Sequence, residues 1–163
     1  TYGSNETYPN LLVDLEIIGT DPLLARETFG SVDAYVDWYN GSWFGKLARA
    51  EPSRGYVAPP LDGVWATAPY FHNGSVPNLD LVLNSEARPT YWTRNFSQQE
   101  YDDRHVGWQF VTKDVGKDGV MSSEERLNLY DTEQPGYSNA GHTFGDGLTQ
   151  SERLAVIEYL KTL

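Results

Sequence analysis

The chain turns apolar at Leu11-Leu12-Val13-Asp14-Leu15-Glu16-Ile17-Ile18, where neither a period of two nor the helical period wins, and this stretch reads as extended. Asp21-Pro22 then marks a helix start. The aspartate can cap, and the missing N–H of a proline costs nothing at the first helical position, so a helix is expected from here to about Phe29. Val32, Tyr35, Val36 and Tyr39 recur at spacings of three and four, the apolar face of a second helix that Asn40-Gly41 interrupts. Glu51 to Pro60 holds three prolines and a glycine and is expected to cross the surface as a loop. Val76-Pro77-Asn78-Leu79 opens a short helix, with Ser75 as its cap and Leu79, Val82 and Leu83 as its buried face. Periodicity is weak from residue 85 to 120. Thr149-Gln150-Ser151-Glu152 has the form of a capping box, and Leu154, Ile157 and Leu160 follow at helical spacing, which predicts a final amphipathic helix.

No internal repeat or composition break divides the chain, so residues 1–163 are read as a single domain, mainly α and loop-rich. Aromatic residues make up 13% of the sequence, including 11 tyrosines and 5 tryptophans, so rings are expected to fill the spaces between few helices. The formal charge of -11 opposes a polyanionic partner and argues against nucleic acid. No apolar run approaches the roughly 20 residues needed to cross a bilayer, so no membrane span is expected. Nothing at the start resembles a signal peptide, so any export signal is expected upstream of residue 1. With no cysteine, disulfides give no clue to compartment. Asn-x-Ser/Thr sequons begin at Asn5, Asn40, Asn73 and Asn95; they suit an extracytoplasmic location but also arise by chance in a chain rich in these residues.

Three histidines are the natural candidates for chemistry. His72 follows Ala68-Pro69-Tyr70-Phe71 and precedes Asn73-Gly74, a turning dipeptide that would fix an imidazole in space. His142 lies in Ser138-Asn139-Ala140-Gly141-His142-Thr143-Phe144-Gly145, where glycines let the backbone approach a large planar group and Phe144 can pack on its edge. On the residues alone, the leading reading of each of these two histidines is an ordinary structural one, a hydrogen-bonded core residue for His72 and a turn before the last helix for His142. His105, among charged neighbours, reads as a surface residue. Asp114, Asp118, Gly119 and Glu125 fall at the first, fifth, sixth and twelfth places of a calcium-loop pattern, but Gly116 replaces the acid at the third. Ser122 with Glu125 also makes a plain helix cap, so both readings stay open. Nucleophile-elbow, Walker and dinucleotide motifs are absent.

Several segments, in order, resemble the carboxy-terminal haem domain of the dihaem cytochrome c peroxidase superfamily, nearest the branch that includes rubber oxygenase. They are Tyr8-Pro9-Asn10, Ile18-Gly19-Thr20-Asp21-Pro22, the long stretch from Pro60 through Trp65-Ala66-Thr67-Ala68-Pro69-Tyr70-Phe71-His72-Asn73-Gly74 to Pro77, His105-Val106-Gly107, Asn139 to Gly145, and Tyr159-Leu160-Lys161. The resemblance implies a cytochrome c-like fold lacking its first helix. It also implies that His142 is the distal axial ligand of the haem iron and that His72 lies near the haem edge. By the same resemblance the carbonyls of Thr67 and Pro69 hold calcium, and Trp65 relays electrons.

In such proteins a Cys-x-x-Cys-His-Gly motif precedes the segment resembling Thr1-Tyr2-Gly3. The cysteine-free chain therefore implies haem c attached outside it, on an upstream segment or partner chain. The expected role is the distal-ligand portion of a periplasmic or extracellular dihaem cytochrome, in electron transfer or in peroxide or oxygen chemistry as part of a longer oxidoreductase. The alternative is a haem-free secreted module for binding or assembly, acting as an oligomer.

Overall fold

Strand β1 (Leu12–Asp14) passes directly into helix α1 (Leu15–Ile18) in the computed structural model, which describes residues 11–51, 55–94 and 101–163. The mixed pattern at the start thus encodes two short elements rather than one extended run. Asp14 makes the switch, its carboxylate accepting the Glu16 N–H at 2.9 Å, and Gly19, at φ 66°, ends the turn. Tyr8-Pro9-Asn10 and the sequons at Asn5 and Asn95 lie outside the described residues.

Helix α2 (Leu23–Gly41) is continuous where two helices were expected. The Asp21 carboxylate accepts the Leu23 N–H at 2.9 Å, as the start signal predicts, while Gly30-Ser31 passes through without a break. The expected apolar face of its second half is only partly covered: Val32, Val36 and Tyr39 are half-buried, while Tyr35 is 58% exposed. Asn40 closes the exit by bonding both the N–H and the C=O of Ala50, at 2.9 Å each. Part of the expected loop is strand β2 (Gly55–Val57), antiparallel to β1 with Val13 opposite Tyr56.

Helix α3 (Leu79–Val82) starts where expected, but its cap is Asn78, whose side-chain oxygen accepts the Leu81 N–H at 3.0 Å; Ser75 is wholly buried instead. The described residues of the stretch with weak periodicity include four short strands. Strands β3 (Tyr91–Arg94), β4 (Tyr101–Asp102), β5 (Gly107–Trp108) and β6 (Phe110–Thr112) follow, then helix α4 (Ser123–Asn128), strand β7 (Leu129–Asp131) and helix α5 (Gln150–Leu160). β3 sits between β6 and β7 in a three-stranded antiparallel sheet, and β4 pairs with β5. Among the described residues, seven strands in three small sheets accompany five α-helices, so the fold is mixed α and β and the mainly α expectation is overturned. Segments of two to four residues are too short to display a period of two.

The core joins the central bend to the last helix. Tyr70, Val76, Leu79, Leu81, Val106 and Ile157 are buried together, with Leu154 and Leu160 packed against them, so α5 presents the stripe read from the sequence. Its capping box is complete: Thr149 and Glu152 satisfy each other's backbone N–H. Beside this core Trp92 is 1% exposed, stacked on Tyr130 at 5.0 Å, with its indole N–H on the Ser75 carbonyl at 3.0 Å.

Candidate functional site

The backbone of Tyr70 and Val76 pairs across a tight bend, with Tyr70 N to Val76 O at 2.7 Å. Phe71, at φ 68°, takes the left-handed conformation needed to turn the chain, and Gly74 takes it again at φ 68°. Asn73 braces the bend from inside, donating to the carbonyls of Gly136 at 3.1 Å and Ser138 at 2.8 Å and accepting the Ser75 N–H. Its side chain is therefore committed to holding the bend. The tip carries Phe71 and His72.

The Asn139–Phe144 loop meets this tip across the Ile18–Thr20 turn. Gly141, at φ 83°, presses its Cα onto that turn, and the His142 N–H donates to the Ile18 carbonyl at 2.9 Å. The His142 ring stacks on Phe71 at 4.4 Å and 25°, with Phe144 edge-on at 6.5 Å. His72 reaches the same turn, its Nδ1 3.4 Å from the Thr20 hydroxyl and its ring stacked on Tyr56 at 5.2 Å. The two histidines, 70 positions apart in sequence, thus both contact one three-residue turn.

Burial holds both imidazoles below the usual histidine pKa. For His142 the Arg88 charge and the neighbouring His72 add to burial; for His72 the nearby Asp21 only partly offsets it. Both rings are therefore neutral near pH 7, the form that can donate a lone pair to a metal. His72 Nε2 is buried without a hydrogen-bond partner, and no group among the described residues bonds the ring nitrogens of His142.

An iron porphyrin fits this donor set. A neutral imidazole stands on a flat aromatic support, and Phe144, edge-on to it and 70% exposed, offers apolar surface beside it for a macrocycle. The thioether bonds of a c-type haem do not fit, because the chain has no cysteine to form them.

The other predicted residues lie elsewhere. Trp65 is 45% exposed; its indole donates to the Leu163 carbonyl at 3.2 Å and its own carbonyl accepts the Tyr101 hydroxyl, so neither histidine is its partner. Thr67 turns its hydroxyl onto the Val64 carbonyl at 2.9 Å, and Pro69 opens the bend. In the calcium-loop pattern Asp118 is 93% exposed and faces Arg126 at 3.9 Å, while Ser122 accepts the Glu125 N–H as the cap of α4. No group of three or more His, Asp or Glu side chains among the described residues could hold a metal ion, so Asp114, Asp118 and Glu125 are not gathered. His105 is half-buried and bonded to Asp102 at 2.8 Å, rather than free at the surface. Sequence reasoning missed Tyr56 and Arg88, and passed over Phe71 as a support for His142. A single aromatic or arginine in an aperiodic stretch carries no local signal, although Phe71 sits next to a flagged histidine.

With this geometry in view, comparison with known proteins supports a relationship for part of the chain. Residues 55–93 match the family model described as RoxA-like, cytochrome c-like, which supports a cytochrome c-like relationship over that stretch. The match includes Tyr56, Trp65, Phe71, His72 and Arg88, whereas the His142 loop lies beyond it. The chain is also 32% identical to uncharacterized protein y4iJ of Sinorhizobium fredii, in an alignment covering 93% of this chain and 31% of that protein. It is 41% identical to uncharacterized protein y4iM of the same organism, over 58% of this chain and 21% of that protein. The chain thus spans less than a third of either relative. No helix among the described residues is long and apolar enough to cross a membrane.

Proposed function

We propose that this chain is the distal-ligand portion of a c-type cytochrome of the dihaem kind, exported to the periplasm or beyond, with His142 as an axial ligand of a haem attached outside residues 1–163. The observation that carries the reading is the His142 ring: neutral, stacked on Phe71 at 4.4 Å, and without a hydrogen bond to either nitrogen among the described residues. The haem would supply one-electron chemistry, and this chain supplies ligation, burial and exclusion of water. Gly141 lets the loop seat against the Ile18–Thr20 turn, Phe71 fixes the plane of the imidazole, and Phe144 shields its edge. Held in this way, His142 would be the residue of this chain that binds the iron, and the haem would supply the electron-transfer chemistry. His72, stacked on Tyr56 and 3.4 Å from the Thr20 hydroxyl, would line the approach to the haem edge. The test is the absorption spectrum of the intact haem-loaded protein. His142→Ala should convert a low-spin six-coordinate spectrum to a high-spin one; an unchanged spectrum, with His72→Ala producing the conversion, would overturn the assignment.

A second reading, a haem-free secreted module for binding or assembly, is favoured by one observation. Tyr35 and Trp38 on α2, with Trp43 and Phe44 just after it, are 58 to 66% exposed and form two ring pairs, at 5.7 and 5.4 Å. A colourless intact protein that forms a defined oligomer by light scattering would favour it.

A further inference from the structure

Arg88 spends every donor it has on carbonyl oxygens. Its Nε donates to Leu81 at 2.8 Å, Nη1 donates to Asn139 and Gly141 at 2.7 Å each, and Nη2 donates to Val82 at 3.0 Å and His142 at 3.2 Å. A guanidinium has five N–H groups, so this one is saturated. Two of the carbonyls belong to α3, where a helix end leaves oxygens without intrahelical partners, and three belong to the loop that carries His142. The same guanidinium lies 4.9 Å from the Phe71 ring centroid, within cation–π range, and Phe71 is the ring on which His142 stacks. One side chain therefore grips His142 twice, by its backbone carbonyl and through its aromatic support.

We infer that Arg88 is the positioning residue for His142, fixing the loop and the plane of the imidazole so that the ligand is set before iron arrives; the inference rests on His142 being the axial ligand. The planar fork is what the task requires. Lysine keeps the charge but has three donors on a single nitrogen and cannot reach five carbonyls on two segments. A control is at hand in Arg153, whose side chain is 14% exposed; it contacts Asp80 at 3.6 Å and the Leu148 carbonyl at 2.8 Å but no residue of the His142 loop.

The experiment compares Arg88→Lys, Phe71→Leu, Arg153→Lys and His142→Ala in the intact protein. Haem-free, Arg88→Lys should speed hydrogen exchange at the His142 amide by roughly tenfold or more while the Ile157 amide is unchanged, because only the loop opens. Haem-loaded, Arg88→Lys and Phe71→Leu should give a mixture of high-spin and low-spin iron that added imidazole returns to low spin, since the missing element is ligand placement and not the haem pocket. Arg153→Lys should leave both readouts at the wild-type value. If Arg88→Lys matches Arg153→Lys while His142→Ala turns the iron high-spin, the positioning role is wrong and the ligand assignment stands. If His142→Ala itself stays low-spin, the ligand assignment falls and this inference with it.

Discussion

Gly141 shows how closely the His142 loop is fitted to its support. A Cβ added there would lie 2.5 Å from the Gly19 carbonyl carbon and 2.6 Å from the Ile18 oxygen and the Thr20 nitrogen, all backbone atoms that cannot swing aside. With φ at +83° the substitution is also strained in itself. Gly141→Ala should therefore cost about 2–4 kcal/mol, from strain plus overpacking. Gly63, at φ +73° with nothing within 4 Å, isolates the first part. Gly63→Ala should cost about 1–2 kcal/mol, so chemical denaturation of the two variants separates strain from contact.

Burial of the histidines gives a pH dependence of definite sign. His72 and His142 titrate below the ordinary 6.5 when folded, so the unfolded chain takes up protons first as the pH falls. Their contribution to stability is complete above about pH 6.5 and is lost between there and their lowered folded values. The wild-type melting temperature should thus fall more from about pH 7 to about pH 5 than that of a His72→Gln, His142→Gln double variant. Equal slopes would contradict the buried neutral rings. At this scale the sequence was half legible. The glycine beside His142 and the turn after His72 stood out locally, whereas Arg88 acts across more than 50 positions to reach the His142 loop, which no local pattern can announce.

Among the elements, legibility followed length and caps. Helix α5 has 11 residues, a reciprocal cap and an apolar stripe, and it folds as read. Helix α2 merged two expected helices because the side-chain pattern lapses around Gly30-Ser31 while the backbone hydrogen bonds continue. The β strands stayed hidden because segments of two to four residues leave no periodic trace, and their discovery changed the fold class. The energetic consequences are graded. Thr149→Ala removes a cap and should cost about 1 kcal/mol. Ile157, fully buried where α5 meets the central bend, should cost about 2–5 kcal/mol on change to Ala, the range set by how far the site collapses. Denaturant midpoints in that order would support the packing described; near-equal losses would not.

Across the described residues the molecule keeps large apolar side chains exposed: Leu11 at 60%, Ile17 at 66%, Leu47 at 69%, Leu127 at 85% and Phe144 at 70%. Residues 1–163 expressed alone should therefore bind a hydrophobic dye and unfold over a broad range, and should gain order with the haem-bearing segment supplied. A sharp thermal transition from the haem-free chain alone would move the weight to the independent binding module.

The central claim is that His142 binds haem iron, and the most direct measurement is an experimental structure of the intact, haem-loaded protein. The account predicts continuous density from iron to a ring nitrogen of His142, with the imidazole still stacked on Phe71 and Arg88 still joined to the loop carbonyls. Iron ligated by His72, or by a residue outside this chain while His142 points elsewhere, would contradict it.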